Sequence, residues 1–171
     1  MIIVRKERAG DEEQIRTVNT RAFQQTAEAN IIDALRSACP EGVSLVAVDA
    51  GTIVGHILFT PAVIESKSRT VQGMGLAPLA VLPEFQRRGI GSRLIHAGLD
   101  EMRKARQPFV LVLGHPEYYP RFGFVRASRY GIISEYEGVP DEAFMILVLD
   151  EAMLEGVTGI GKYRPEFAAA T

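Results

Sequence analysis

Two repeating patterns of apolar residues alternate along the chain, and their order predicts an α/β protein. Runs rich in β-branched and aliphatic residues predict strands, whereas apolar residues spaced three to four apart predict amphipathic helices. The predicted strands cover residues 2–7, 43–48, 52–64, 70–82, 108–113, 124–125, 131–134 and 143–149. The predicted helices run from the N-cap Asp11 to Phe23, over 27–38 and over 89–106. The glycine-rich tail, 154–171, is expected to wrap the surface with Tyr163 as an anchor.

The connections between these elements predict how the strands pair. Strands 43–48 and 52–64 are separated by Asp49-Ala50-Gly51, a tight turn that predicts an antiparallel hairpin. Strands 70–82 and 108–113 are joined through a helix, and such a strand–helix–strand unit implies parallel neighbours. At 171 residues the chain is long enough for one well-packed domain and short for two. We therefore predict a single domain, 1–171, with a mixed, mostly antiparallel sheet of about six or seven strands flanked by helices.

The segment 79–92 combines a short apolar strand, a turn and a glycine-spaced helix start. A helix N-terminus presents backbone N–H groups without intrahelical partners and carries partial positive charge, so anions bind there. Glycines in this position let a phosphate approach the backbone, while arginine and serine side chains add charge and a hydroxyl. The residues predicted to hold a pyrophosphate are Gln86, Arg87, Arg88, Gly89, Ile90, Gly91 and Ser92.

Pro78 predicts a local break in strand pairing just before this segment. Proline has no N–H to donate to a ladder and is tolerated mainly at sheet edges and bulges. If the strand separates from its neighbour beyond Pro78, the backbone groups of Leu79 and Val81 need other partners. An extended ligand that contains amide groups could supply them.

The charge balance and the cysteine count exclude several classes of function. The chain has 19 Lys and Arg residues against 21 Asp and Glu, so no overall basic field would recruit nucleic acid or anionic lipid. A single cysteine, Cys39, allows neither an intramolecular disulfide nor a cysteine-cluster metal site. No apolar run approaches the ~20 residues that span a bilayer. The Walker and G-x-G-x-x-G nucleotide motifs are absent. We expect a cytoplasmic protein without nucleic-acid or membrane partners and without a metal.

The chain resembles the GCN5-related N-acetyltransferase (GNAT) superfamily over nearly its whole length. Gln86-Arg-Arg-Gly-Ile-Gly91 fits the family's Q/R-x-x-G-x-G/A pyrophosphate signature, and Tyr119-Pro-Arg-Phe-Gly-Phe124 fits its late Y-x-x-x-G-F signature. Within the superfamily the chain is similar to the bacterial YhbS-like branch. The stretches that carry this similarity are Val54-Gly-His-Ile-Leu-Phe-Thr-Pro61, Ala77-Pro-Leu-Ala-Val81, Leu113-Gly-His-Pro-Glu-Tyr-Tyr-Pro-Arg-Phe-Gly-Phe124 and Gly156-Val-Thr-Gly159.

The resemblance implies a GNAT fold, with the sheet splayed at its fourth strand, and acetyl-CoA as cosubstrate. It implies that the backbone of Leu79 and Val81 pairs with the pantetheine amides and that the N–H groups of residues 87–92 hold the pyrophosphate. It also places Tyr119 where the family has the residue that hydrogen-bonds or protonates the departing CoA sulfur. The alternative for Tyr119 is a packed aromatic residue with a satisfied hydroxyl.

Acetyl transfer requires further groups, for which the residues offer candidates. An oxyanion donor is expected in a backbone N–H of the splayed strand, at Ala80 or Val81. The base that deprotonates the amine could be Glu28, His56, Glu84, His115 or an ordered water. The alternative for His56 is a hydrogen-bonded core residue, which is typical of a lone histidine inside a strand. The alternative for Glu84 is a solvent-facing residue in the turn. The resemblance places Phe23 and Glu28 where the family's first two helices flank the acceptor pocket, and His56 is a further candidate for binding the acceptor.

These patterns together predict an acetyl-CoA-dependent N-acetyltransferase that acts by direct attack in a ternary complex. The acceptor would be a primary amine of a small molecule or of a protein. The alternative from a different class is a non-catalytic acyl-CoA-binding sensor or interaction module. A homodimer is one possible assembly.

Overall fold

The computed structural model of the chain describes residues 1–170, with side chains through residue 168. Strands are β1 (Ile2–Lys6), β2 (Val43–Asp49), β3 (Thr52–Glu65), β4 (Thr70–Val81), β5 (Phe109–Leu113), β6 (Val125–Arg126), β7 (Ile132–Ser134), β8 (Phe144–Val148) and β9 (Gly159–Lys162). Helices are α1 (Glu12–Phe23), α2 (Ala27–Ala38), α3 (Ile90–Lys104) and α4 (Glu151–Leu154). Short 3-10 turns occupy Pro83–Phe85, Tyr119–Phe122, Ala127–Tyr130, Asp141–Ala143 and Pro165–Ala170. None of these helices is long and apolar enough to cross a membrane.

The chain divides into two compact units, and strands β3 and β4 each contribute to both. The first unit contains residues 1–59, 77–101 and the C-terminal residues from Pro165. Its strands β1, β2 and β3 pair antiparallel, as the Asp49-Ala50-Gly51 turn predicts. Helices α1 and α2 bury the residues that their 3.6-residue periodicity marks as apolar. Residues Ile15, Val18, Ile31, Ile32 and Leu35 are all less than 8% exposed.

Helix α3 packs closely on β3 because glycines occupy two points of contact. A Cβ atom added to Gly98 would lie 2.2 Å from Cε2 of Phe59, which is fully buried. A Cβ atom at Gly55 would lie 3.0 Å from Cδ1 of Leu94. Both glycines therefore set the distance between the strand and the helix that follows the predicted pyrophosphate segment.

Replacing Gly98 with alanine is expected to lower the free energy of unfolding by about 1–3 kcal/mol, the usual cost of overpacking a core. Helix propensity alone predicts the opposite sign, a gain of about 1 kcal/mol. Denaturant unfolding of Gly98→Ala decides between the two. The double variant with Phe59→Leu should show coupling, because the smaller side chain relieves the overlap. A Gly98→Ala protein more stable than wild type would show that the ring moves aside at little cost.

The second unit contains residues 60–76 and 102–164. In it β4 pairs parallel with β5 over Met74–Leu76, β5 pairs antiparallel with β8, and β8 pairs with β6. Strand β9 lies antiparallel to the end of β3 and parallel to β7. The apolar core of this unit includes Phe109, Leu111, Ile132, Phe144 and Ile146.

The predicted fold class is confirmed: the strands form a mixed, mostly antiparallel arrangement with helices beside it. The described residues contain nine strands rather than six or seven, and β9 lies in the tail that was expected only to wrap the surface. The tail's last residue, Thr171, lies outside the described residues. Asp11 does precede α1, but its carboxylate makes no cap hydrogen bond there. It accepts instead from the N–H of Arg8 and the guanidinium of Arg5.

Candidate functional site

The C-terminal half of β4 presents one edge to β3 and the other away from it. The N–H of Leu82 donates to the carbonyl of Val54 at 2.9 Å. Backbone groups alternate sides along a strand, so the N–H of Ala80 also faces β3, whereas those of Leu79 and Val81 face the opposite edge. The register of β4 with β5 ends at Leu76, and the Ala77–Pro78 peptide bond that follows is cis. The register ends two residues before Pro78, where the sequence predicts a break in strand pairing.

The predicted pyrophosphate segment, residues 86–92, forms a turn that leads into α3. Arg87 and Gly89 adopt left-handed conformations, with φ of 64° and 78°. The first helical hydrogen bond runs from the N–H of Arg93 to the carbonyl of Gly89. Within residues 1–170 the N–H groups of Ile90, Gly91 and Ser92 have no acceptor. A Cβ atom at Gly89 would meet nothing within 4 Å, so the space beside Gly89 is open.

Side-chain contacts hold this turn in place. The Arg88 guanidinium lies over the Phe85 ring, 5.2 Å from its centroid. The Gln86 side chain donates to the carbonyl of Val81 at 3.0 Å and thereby ties the turn to the end of β4. Three backbone donors, the N-terminus of a 15-residue helix and two exposed arginines make this segment suited to a pyrophosphate.

Tyr119 lies in the second unit, at the start of the 3-10 turn Tyr119–Phe122. Its ring makes edge contacts with Tyr118 and Phe124, at centroid distances of 5.2 and 5.7 Å. Gly114 provides the space for it, because a Cβ atom there would lie 2.4 Å from Tyr119 Cε2. The residue is 8% exposed, and burial raises the pKa of its hydroxyl well above the usual range. The phenol therefore keeps its proton at any physiological pH and can act as a donor.

His115 shares this turn with Tyr119. Its backbone carbonyl accepts hydrogen bonds from the N–H groups of Tyr118 and Tyr119, at 3.1 and 3.4 Å. The residue itself is exposed. Two of the sequence-predicted catalytic residues, His115 and Tyr119, are thus brought together by one short segment of backbone.

His56 is enclosed in the first unit. It is 0% exposed, and both ring nitrogens have partners: Nδ1 lies 3.1 Å from Nδ2 of Asn19 and Nε2 lies 2.9 Å from Oγ of Ser44. Asn19 Nδ2 also donates to the carbonyl of Ile15, so the amide presents a donor to Nδ1. Burial, together with the nearby Arg36, lowers the pKa of His56 to about 3. This placement matches the hydrogen-bonded core residue rather than a residue that contacts an acceptor.

Glu84, the other predicted base, is engaged in an exposed ion pair. Both of its carboxylate oxygens accept from Arg21, each at 2.8 Å. The hydrogen bond from Arg21 lowers the pKa of Glu84, so the carboxylate is a weaker base than an unpaired one. Its contact joins the turn before the pyrophosphate segment to helix α1. Arg21 belongs to none of the sequence motifs, and nothing in the sequence marks it as the partner of Glu84.

The two remaining acceptor-side candidates lie at the junction of α1 and α2. Phe23 ends α1 and is 37% exposed, which is high for a phenylalanine. Glu28 lies in the first turn of α2 and accepts from the side-chain amide of Gln25. Both side chains are accessible, as binding to an acceptor requires.

Comparison with known proteins identifies the family. The model of the acetyltransferase (GNAT) domain matches residues 4–127. YhbS of Escherichia coli strain K12, described as an uncharacterized N-acetyltransferase, is 31% identical over 97% of this chain and 98% of its own length. YjhQ of the same organism, described likewise, is 45% identical over 117 residues. That alignment covers 67% of this chain and 64% of YjhQ, so the chain spans less than two thirds of this relative.

Solved structures agree with the sequence comparison. The crystal structure of Escherichia coli YhbS in complex with CoA has a TM-score of 0.88 at 30% identity, over 98% of this chain and 92% of that one. A GNAT family acetyltransferase from Brucella melitensis in complex with acetyl-CoA has a TM-score of 0.78 at 34% identity, over 98% of both chains. With a family model matched over more than half its length and a relative aligned over nearly all of it, the chain belongs to the GNAT family of N-acetyltransferases.

Proposed function

We propose that this protein transfers the acetyl group of acetyl-CoA to a primary amine by direct attack in a ternary complex. The amine nitrogen forms a bond to the thioester carbonyl carbon, the C–S bond breaks, the amine loses a proton and the CoA thiolate gains one. No acyl-enzyme is needed. The one cysteine, Cys39, is 5% exposed and follows the end of α2, a poor position for an acyl carrier.

The observation that carries this proposal is the geometry of residues 86–92. Three N–H groups that have no acceptor among the described residues, next to a left-handed glycine with open space beside it, suit the pyrophosphate of CoA. Relatives of the same family supply independent support, because two solved structures of similar chains contain CoA or acetyl-CoA.

The edge of β4 that faces away from β3, at Leu79 and Val81, would hold the pantetheine arm and the reacting carbonyl. Of the two oxyanion donors considered from the sequence, the N–H of Ala80 faces β3, which favours Val81. Leu79 and Val81 share the edge away from β3, so their backbone groups would divide between the acetyl oxygen and the pantetheine amides. One such donor contributes about 3 kcal/mol to stabilising a tetrahedral oxyanion.

We assign the two proton transfers of the reaction to Tyr119 and His115. Tyr119 remains protonated and would donate to the departing thiolate, either as a strong hydrogen bond or by full transfer. We propose His115, directly or through water, as the base for the amine. Glu84 is bound by Arg21 and His56 is sealed from solvent, whereas the exposed His115 lies in the same turn as Tyr119.

Gly89→Ala is expected to weaken CoA binding about tenfold, because alanine disfavours the left-handed backbone that aims these N–H groups and its methyl group enters the open space. Gly138→Ala is the matched control. Gly138 has φ of 76° and equally open surroundings, but it lies outside the pyrophosphate segment. Both variants should lose a similar amount of stability, and only the first should lose affinity in calorimetry with CoA. Equal CoA affinity in the two variants would show that residues 86–92 do not bind CoA.

Turnover assays test which amine is the acceptor and whether the protein is an enzyme or a non-catalytic sensor. Release of CoA thiol is measured with a panel of small amines and of peptides with free N-termini or lysines. Turnover with any member supports the enzyme, and preference for peptides identifies a protein acceptor. Tight CoA binding without turnover on either panel would favour the non-catalytic acyl-CoA-binding module.

A further inference from the structure

Glu84 carries the only acidic side chain in a long stretch of the sequence. It is the one aspartate or glutamate from residue 66 to residue 99, and Arg87 and Arg88 follow it closely. It lies in the 3-10 turn Pro83–Phe85, which runs directly into the segment proposed to bind pyrophosphate. Charges of the same sign repel each other, so an unpaired carboxylate in this turn would weaken the binding of an anion beside it.

Arg21, in the last turn of α1, engages both oxygens of this carboxylate. Its Nη1 donates to Oε1 of Glu84 and its Nη2 donates to Oε2, each at 2.8 Å. A bidentate pair of this kind fixes the orientation of the two groups as well as the distance between them. The positive charge of the guanidinium offsets the negative charge of the carboxylate, so the pair as a whole is neutral.

The stability of the fold is a weak explanation for this pair. The side chains of Arg21 and Glu84 are 48% and 46% exposed, and ion pairs with such exposure usually contribute little to the free energy of folding. The surroundings favour a role in binding instead. Phe85, the residue after Glu84, carries the Arg88 guanidinium over its ring. A carboxylate released by Arg21 could turn toward that guanidinium and compete with a bound anion for it.

We propose that Arg21 is a positioning residue of the pyrophosphate site: it binds both oxygens of Glu84, neutralises the one carboxylate in the turn before that site and keeps it from the arginines that follow. The inference rests on the proposed function, because it requires an anionic ligand at residues 86–92. It extends the cofactor site to helix α1, from which the proposed function takes no cofactor contact.

Arg21→Gln tests the proposal, because it removes the cation and leaves the carboxylate unpaired. We expect the Kd for CoA, measured by calorimetry at about 50 mM salt, to rise about fivefold. Glu84→Gln should have the opposite effect and lower the Kd about two- to threefold, because the charge of Arg21 is then unpaired. The double variant carries neither charge and should bind CoA as wild type does. Each difference should shrink at about 500 mM salt, which screens exposed charges.

Arg16→Gln is the matched control for the loss of an arginine from α1. Arg16 lies on the same helix and forms a similarly exposed ion pair, with Asp33 of α2 at 2.9 Å. Its partner belongs to a helix rather than to the turn before residues 86–92. The Kd for CoA should therefore equal that of wild type at both salt concentrations.

The pattern of these variants separates this inference from a mechanical role of the pair and from the proposed function. If the pair only tied α1 to the turn, both single variants and the double variant would weaken CoA binding alike, and that result overturns the inference. A wild-type Kd in Arg21→Gln also overturns it and leaves the enzyme assignment intact. So does an Arg21→Gln protein that fails to fold, because the pair would then be a structural support. Wild type without affinity for CoA defeats the proposed function, and this inference with it.

Discussion

Tyr119→Phe is expected to slow acetyl transfer about a hundredfold while leaving the affinity for CoA nearly unchanged, because a positioned proton donor contributes 10²–10⁴-fold to such a step. The substitution keeps the ring that packs on Tyr118 and Phe124 and removes only the hydroxyl. Steady-state thiol release gives kcat, and calorimetry gives the Kd for CoA. Since burial raises the pKa of this phenol, it stays protonated across the assay range, and the rate deficit should be the same from about pH 6 to pH 9.

Tyr118→Phe is the matched control for this variant. Tyr118 belongs to the same turn, and its ring carries the Arg121 guanidinium at 4.5 Å from the centroid, a contact that phenylalanine preserves. We expect a kcat close to that of wild type. If Tyr119→Phe and Tyr118→Phe turned over alike, Tyr119 would be a packed aromatic residue and the thiolate would take its proton from elsewhere.

The second large effect is a loss of stability in mild acid that originates at His56. Its folded-state pKa is depressed from 6.5 to about 3, mainly by burial and further by Arg36. The stabilisation it gives is therefore complete above about pH 6.5 and is lost as the pH falls toward 3. At about 1.4 kcal/mol per pKa unit, the full loss is roughly 4–5 kcal/mol, a large part of a typical domain's 5–15 kcal/mol.

The hydrogen bonds around His56 suit the neutral ring that burial favours. Asn19 presents an N–H to Nδ1, so the neutral ring carries its proton on Nε2 and donates to Ser44. Ser44 in turn donates to Glu7, which also accepts from Arg36. A second proton on Nδ1 would place two donors against each other inside the core. The neutral ring is thus the form that the fold selects.

Urea unfolding between about pH 7.5 and pH 4 should show about 3–4 kcal/mol of this loss, because the loss is complete only near pH 3. His56→Gln removes the titrating group and should flatten the acid limb, whereas His96→Gln, at an exposed position of α3, should retain it. A ring proton resonance of His56 that titrates near pH 6.5 in the folded protein would contradict the assignment, whatever the stability of the variants.

The elements that the sequence predicted well are those whose signals lie within or beside their own residues. Helix α2 spans the predicted residues 27–38, because its apolar periodicity is regular and Pro40 follows its end. The helix start after Gly89 was predictable for the same reason, since glycine spacing and amphipathic periodicity occur side by side. Strand β9 gave no such signal. Its Gly161 is required by Phe144, whose ring would lie 2.8 Å from an added Cβ atom, and no pattern within the tail reveals a contact with a distant residue.

The environment of the candidate residues was beyond sequence reasoning for a similar reason. His56 is enclosed by Ser44, which is 12 residues away on the paired strand β2, and by Asn19 of α1, which is 37 residues away. Glu84 is paired with Arg21, 63 residues away. A histidine or a glutamate at these positions is compatible with a catalytic role and with a structural one. Only the hydrogen-bonding partners that the fold places beside it distinguish the two roles.

The side-chain amide of Gln86 already donates a hydrogen bond to the carbonyl of Val81. A ligand amide arriving at that oxygen would exchange one neutral hydrogen bond for another of similar strength, so the contact would add little to affinity. The contact would instead align the pantetheine arm of acetyl-CoA in one register along β4. The side-chain amide of Gln86, released from Val81, could then hydrogen-bond another group beyond the end of the strand.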